Sequence, residues 1–248
     1  MIINRLIAKN WRNFQQIDVP LRERIFIVGP NASGKSNLLD IFRFLRDIAK
    51  AEGGGFQKAI KDRGGVSKIR CLAAQRDPKV EIEIHIADTP KAPATWRYCI
   101  GFHQEKHQDG HAYLTHEQVW KEGELLLNRP DTEDNEDPDR LIQTALEQNA
   151  ANAKFREIGK FLRNVKYLHL VPQFIRYSNA IQGKIIEDDP FRQGFLQRVA
   201  NAHPSTRRAR LKRIERALKL AVPQFEKLEF VRDKNTGHPH LQARYEQQ

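Results

Sequence analysis

The chain has 248 residues, 42 Lys+Arg against 31 Asp+Glu, 40% hydrophobic residues and two cysteines. That length carries one large domain or two small ones with a real core, and the composition excludes a wholly disordered chain. Apolar runs reach about four residues, far short of the roughly 20 that cross a bilayer, so no membrane partner is expected. The formal net charge of +11 favours an acidic partner, either nucleic acid or nucleotide. Cys71 and Cys99 are too few for a disulfide framework or a four-ligand zinc site. Met1 to Lys9 alternates like a strand and lacks the pattern of a secretory signal, so the expected compartment is the reducing cytoplasm.

The first 30 residues read as strands. Ile3, Leu6 and Ile7 lie in a first strand ending near Asn10. Phe14, Ile17, Val19 and Leu21 lie in a second, after Arg12-Asn13. The run Ile25-Phe26-Ile27-Val28 is too short for a helix and suits a strand buried on both faces of a parallel sheet. A helix is predicted from about Lys35 to Lys50, with Leu38, Leu39, Ile41, Phe42, Leu45 and Ile48 at helical spacing and Gly53-Gly54-Gly55 as its stop. From Lys79 to Arg129 the period becomes two, with turns at Asp109-Gly110 and Glu122-Gly123, which predicts an antiparallel meander. Residues 131–139, with their cluster of acids, read as a solvated loop. Helical patterns follow at about 139–148 and 152–163. A buried strand is predicted from Val165 to Val171, helices at 190–202 and 204–221, and a hairpin over 227–245 around Asn235-Thr236-Gly237.

Gly29-Pro30-Asn31-Ala32-Ser33-Gly34-Lys35-Ser36 matches G-x-x-x-x-G-K-[ST] in full. Such a match arises by chance in roughly one chain of this length in a hundred, and here it follows an apolar run and opens a helix, as its chemistry needs. Gly29 and Gly34 allow backbone conformations closed to other residues. Amide N–H groups from about Ala32 to Ser36 then converge on one point, where the helix N-terminus adds partial positive charge. Lys35 is placed to reach the β- and γ-phosphates, and the Ser36 hydroxyl to ligate Mg²⁺.

With Asn31, Ser33 and Asn37, this loop resembles that of the RecF/SMC/ABC-type ATPases, most closely the AAA-family ATPases with an ABC-like head. The resemblance extends over Asn10-Trp11-Arg12-Asn13-Phe14, Gly64-Gly65-Val66-Ser67-Lys68-Ile69-Arg70, Pro190 to Val199, and Ile214 to Phe225. It implies an α/β P-loop NTPase head. Its parts would be a mixed-sheet core with the phosphate loop (1–75), an antiparallel lobe (79–129), a helical region (139–221) and a C-terminal hairpin (227–248), in one domain. It implies that Arg12 lies against the nucleotide phosphates. It also implies a glutamine near Mg²⁺ and the attacking water; Gln173 fits best and Gln182 is the alternative. The cofactors implied are ATP and Mg²⁺. The partners are a second head or a complementing C-terminal ATPase segment, with DNA and a nuclease, in DNA repair or anti-phage defence.

The family's apolar strand ending in Asp-Glu and its Ser-Gly-rich signature are both missing, so the chain reads as the front part of a head that binds ATP without efficient turnover alone. Arg207, Arg208, Arg210, Lys212, Arg213, Arg216 and Lys219, opposite Leu211, Ile214 and Leu218, form a basic amphipathic pattern. It reads either as a DNA-contacting face or as a solvated helix face. Two further readings stay open: a nucleic-acid-binding subunit with structural ATP, and a small-molecule kinase. His103, His107, His111 and His116 fall on a predicted hairpin, where steps of four do not gather metal ligands.

Overall fold

The computed structural model describes residues 1–50, 52–74, 77, 79–104, 110–169, 194–233 and 237–246. They divide into two compact units, Met1–Val165 and Lys166–Gln248.

In the first unit, alternation with period two produces a six-stranded sheet. Its strands are β1 (Ile2–Trp11), β2 (Phe14–Pro20), β3 (Val80–Ala87), β4 (Trp96–Gln104), β5 (Ala112–Lys121) and β6 (Glu124–Arg129), in the order β2-β1-β3-β4-β5-β6. Every pairing is antiparallel. The register lines up Leu6, Ile84, Tyr98 and Val119 across four strands, all fully buried. The opposite face carries polar neighbours such as Lys9 with Glu81 and Arg97 with Glu83. One face therefore meets a core and the other meets water.

That core is completed by α1 (Lys35–Ile48), α2 (Phe56–Lys61), α3 (Val66–Ile69) and α5 (Arg156–Arg163). Between β6 and α5 lie α4 (Thr132–Glu136) and 3₁₀ turns at Pro138–Ile142 and Ala153–Phe155. Ile41, Phe44, Leu45 and Ile48 form the buried stripe of α1. Phe44 stacks 5.3 Å from Trp11 and 5.5 Å from Phe102, which in turn meets Phe56 at 5.5 Å. Each such side chain contributes roughly 1.5–3 kcal/mol through burial.

The antiparallel meander and the α1 helix form as their periodicity predicts. The Ile25–Val28 strand does not. Residues 25–28 pair with no strand, and Phe26 and Val28 are 82% and 92% exposed. An apolar run specifies a buried strand only if neighbouring strands receive its backbone bonds, and none among the described residues does. The parallel component expected around this run is accordingly missing from the described sheet.

The acidic 131–139 stretch is mostly exposed as expected, but it holds the short helix α4 and one buried acid. Asp131 caps α4 in a reciprocal capping box with Asp134, and Asp134 is buried. Asp134 takes both prongs of Arg129 at 2.9 and 2.7 Å. Arg129 also reaches Glu117, which is fully buried on the core face and accepts from Tyr98 Oη and from the Ala145 and Leu146 N–H groups. Buried charges need such partners, and sequence patterning cannot reveal them. The helix expected at 139–148 is reduced to the 3₁₀ turn, and residues 165–169 form no strand. Residues 170 and 171 of that strand lie outside the described residues.

The second unit contains α6 (Phe195–Asn201), α7 (Pro204–Ala221), β7 (Phe225–Arg232) and β8 (Pro239–Tyr245). β7 and β8 pair antiparallel as the predicted hairpin. No helix among the described residues is long and apolar enough to cross a membrane.

Glu147 joins α2 to the 144–147 segment. Its carboxylate accepts the Phe56 N–H at 2.6 Å and the Thr144 N–H at 3.1 Å. Gly55, at φ +95°, leaves room for it, since a Cβ there would collide with Glu147 Oε2. Burial pushes the Glu147 carboxyl up to about 7, against the two backbone N–H bonds that favour its ionised form. A carboxyl raised on folding holds its proton more tightly when folded, so its contribution is full below about pH 4.5 and is lost as pH rises through about 7. Glu147→Gln should therefore gain Tm relative to the parent as pH goes from about 4.5 to 8; paired thermal melts across that range measure the difference.

Candidate functional site

The phosphate-loop motif lies on the surface of the first unit. Residues 29–33 are exposed, and the chain enters α1 at Lys35 through Gly34, which sits at φ +96° and ψ 6°. Ala32 also takes a left-handed conformation, φ +64°. The loop is narrow: Ser33 N–H bonds to Pro30 O at 3.3 Å, and a Cβ on Gly29 would lie 2.9 Å from Ser33 Oγ. Lys35 Nζ donates to Gly29 O at 2.8 Å and Pro30 O at 2.7 Å, so its ammonium folds over the loop.

The first turn of α1 has no side-chain cap and no acidic residue. The first N–H groups of a helix have no acceptor within it. A 14-residue helix whose amides open beside a lysine and an exposed Ser36 hydroxyl has the donor set for a phosphate, and the hydroxyl is a hard oxygen suited to Mg²⁺. The residues present thus fit a phosphorylated ligand with a divalent cation.

The β1–β2 turn sets where this loop can be. Trp11 is fully buried and its indole N–H donates to Asn37 O at 2.9 Å. Asn37 Nδ2 donates to Asn13 Oδ1 at 2.8 Å, and Asn13 Nδ2 approaches Ser33 O at 3.5 Å. Phe14 and the Asn13 amide crowd Gly34 so closely that only a glycine fits. Asn37, on the first turn of α1, thus holds Asn13.

Arg12 is brought beside α1, where it binds Asp40 rather than the loop. Its Nη2 lies 3.1 Å from Asp40 Oδ2 and its Nη1 3.3 Å from Lys68 O, while its own N–H bonds to Ile69 O at 2.6 Å. Asp40 also takes Arg63, and Arg63 bridges to Asp47 at 3.0 Å. Sequence reading missed Trp11, Asn13, Asp40 and Arg63 as supports of the loop. The one available signal was the pair Asp40 and Asp47, two acids spaced at the helical period beside the apolar stripe of α1. Gln173 and Gln182 lie outside the described residues.

In the second unit, α7 forms over the predicted span. Leu211 is buried and Arg208, Arg210, Lys212 and Arg213 are exposed. Arg207 leaves that face: its guanidinium lies 4.4 Å from the centre of the Phe230 ring and donates to Ala200 O at 3.1 Å. Glu215 takes the Leu228 N–H at 3.2 Å and so ties α7 to β7. On the first unit's sheet, His116 Nε2 lies 3.2 Å from Cys99 Sγ, a thiol that burial pushes up to about 12, away from thiolate chemistry.

Gly34→Ala should destabilise the first unit by about 1–3 kcal/mol, since a side chain there combines a left-handed backbone with a collision against Asn13; urea unfolding measures it.

Comparison with known proteins gives a family match, a curated relative and two solved structures. The family described as "AAA domain, putative AbiEii toxin, Type IV TA system" matches residues 24–242, most of the chain. The DNA replication and repair protein RecF of Proteus mirabilis, strain HI4320 among others, is 46% identical over 41 residues; that match covers 16% of this chain and spans only 11% of the length of RecF. Among solved structures, one described as "Structural biochemistry of ATP-driven dimerization and DNA stimulated activation of SMC ATPases" is 14% identical, covers 86% of this chain and 99% of its own, and has a TM-score of 0.35. Another, "Structure of the recombination mediator protein RecF-ATP in RecFOR pathway", is 15% identical, covers 88% of this chain and 46% of its own, and has a TM-score of 0.34. The family match extends over far more than half of the sequence, and on it the chain belongs to this AAA-domain family of ATPase-like proteins.

Proposed function

We propose that the chain binds Mg-ATP through Gly29, Pro30, Asn31, Ala32, Ser33, Gly34, Lys35, Ser36 and Asn37, as part of a RecF/SMC-like ATPase. The observation that carries this reading is the exposed phosphate-loop motif at the uncapped start of α1, with Lys35 folded over it. Backbone amides of the loop hold the phosphate oxygens, and Lys35 exchanges the Gly29 and Pro30 carbonyls for phosphate oxygens. Ser36 is the hydroxyl ligand for Mg²⁺, which when bound neutralises charge on the β- and γ-phosphates. Arg12 is the second cation, and Gln173, or Gln182, the polar group beside the water.

Hydrolysis calls for an apolar strand ending in an acid pair, which this sequence lacks. A complementing segment, or a second head facing the loop, is therefore expected to supply it. The unpaired, exposed Ile25–Val28 run leading into the loop supports such a strand partner. A role in DNA repair with DNA as partner is supported by the RecF match and the +11 charge; anti-phage defence, a nuclease partner and a cytoplasmic setting enter this proposal through the family resemblance alone.

A second reading has a specific observation behind it. The exposed Arg208, Arg210, Lys212 and Arg213 on α7 suit phosphate-backbone contact by a nucleic-acid-binding subunit in which ATP is structural. Replacing these four by Gln should flatten the salt dependence of DNA binding, the slope of log K against log salt falling by about one unit for each phosphate no longer neutralised; titrations at several salt concentrations measure it. DNA binding unchanged by Lys35→Ala would favour this second reading.

The decisive measurement for the first reading is Mg-ATP binding by the 248-residue chain beside Lys35→Ala. Binding should weaken by at least about tenfold in the variant, the scale of one charge-assisted phosphate bond, and phosphate release should be negligible in both proteins without a complementing segment. Equal binding by the two proteins sinks the reading.

A further inference from the structure

Arg12 is poorly served where it rests. Its backbone is left-handed, φ +54°, in a residue that is not glycine. Such conformations persist only where the surroundings impose them. Its Nε is buried with no hydrogen-bond partner, although a guanidinium carries five N–H donors. Its guanidinium makes one bond to Asp40, at 3.1 Å, and one to Lys68 O, at 3.3 Å.

Asp40 is the opposite case and has more cation than it needs. Arg63 Nε reaches its two oxygens at 3.2 and 3.1 Å, and Arg63 Nη2 reaches Oδ1 at 3.0 Å. Arg63 is itself nearly fully buried and fixed by Ala59 O, by Asp47 and by the face of Phe44. Asp40 would thus stay neutralised if Arg12 left. Arg12 in turn has somewhere to go. Its neighbours Trp11 and Asn13 are bonded to Asn37 and Ser33, so its Cα is fixed beside the loop. Asp40 lies five residues after Lys35, roughly 7.5 Å along the helix axis, within the swing of an arginine side chain.

We propose that Asp40 is a positioning residue that keeps Arg12 in a resting contact, and that nucleotide phosphates at the loop draw Arg12 away while Arg63 alone keeps Asp40 neutralised. This rests on the Mg-ATP reading above. The exchange replaces a single bond to an already neutralised carboxylate, made with Nε unpartnered, by charge-assisted bonds to phosphate oxygens. The cost of parting Arg12 from Asp40 is subtracted from nucleotide affinity, because a ligand shifts an equilibrium only by its differential affinity for the two states.

The test is a double-mutant cycle on the full chain, with Mg-ATP affinity measured by calorimetry for the parent, Asp40→Asn, Arg12→Gln and the double variant. Asp40→Asn should tighten Mg-ATP by roughly 5-fold, and Arg12→Gln should weaken it by a similar factor. Asp40→Asn added to Arg12→Gln should then have no effect beyond about 2-fold. Equal tightening with and without Arg12 would mean that Asp40 acts only as a nearby negative charge, and it would overturn the proposal, as would no tightening. If Asp40→Asn does not fold, the parent chain still decides. In ¹⁵N-arginine-labelled protein, with the signal assigned by Arg12→Lys, the Arg12 Nε–H resonance should shift on adding Mg-ATP; a signal that stays put overturns the proposal. Mg-ATP binding that depends on Lys35 but shows no Arg12–Asp40 coupling would defeat this inference alone. Binding indifferent to Lys35 would defeat the underlying nucleotide reading.

Discussion

The bond from the Trp11 indole N–H to the carbonyl of Asn37 is the one on which the geometry around the phosphate loop depends. Trp11 ends β1, whose register is fixed on both sides by β2 and β3. Its ring is fully buried against Phe44, so the same side chain bonds to the first turn of α1 and packs against its middle. A helix that is bonded at one point and packed at another cannot rotate about its axis without breaking one of the two. The antiparallel sheet therefore sets the position of the helix N-terminus, and with it the direction in which the loop amides point.

A second layer of the same clamp is ionic. Asp40 and Asp47, one on each side of Phe44, gather Arg12, Arg46 and Arg63. Partly buried charges of this kind add little net stability, but breaking one pair leaves its partner costly. Their effect is to specify one arrangement of α1, α2 and the β1–β2 turn. At the far edge of the sheet, the Glu117–Arg129–Asp134 group does the same for the segment after β6. In the first of these places Arg12 and Arg63 reach acids 16 to 28 positions away, whereas Arg129 meets Asp134 only five residues on.

The parts of the fold legible in the sequence are those governed by local rules. Val80, Ile82, Ile84 and Ile86 alternate in sequence and lie fully buried on one face. Glu122 and Gly123 turn with φ +51° and +87°, as a tight hairpin needs. The α1 stripe and the α7 span follow the helical period for the same reason. Ile25–Val28 shows where local rules stop: its apolar character is real, but its burial would have to come from strands that are not its neighbours in sequence. Asp134 shows the converse, an acid that composition assigns to solvent and a buried arginine draws inside.

The candidate site divides along the same line. Residue type and spacing already specify the chemistry on offer: a glycine, Gly34, where the backbone turns left-handed, a lysine and a serine at a helix start, and a basic helix near the other end of the chain. Those are properties of residue type and short spacing, and folding does not change them. That Asn13 and Trp11 hold the loop, that Arg12 rests on Asp40, and that Arg207 packs on Phe230 instead of joining its basic neighbours are outcomes of three-dimensional packing. Each of those interactions joins residues between 23 and 28 positions apart, a separation at which residue spacing imposes no geometry and only packing can bring side chains together.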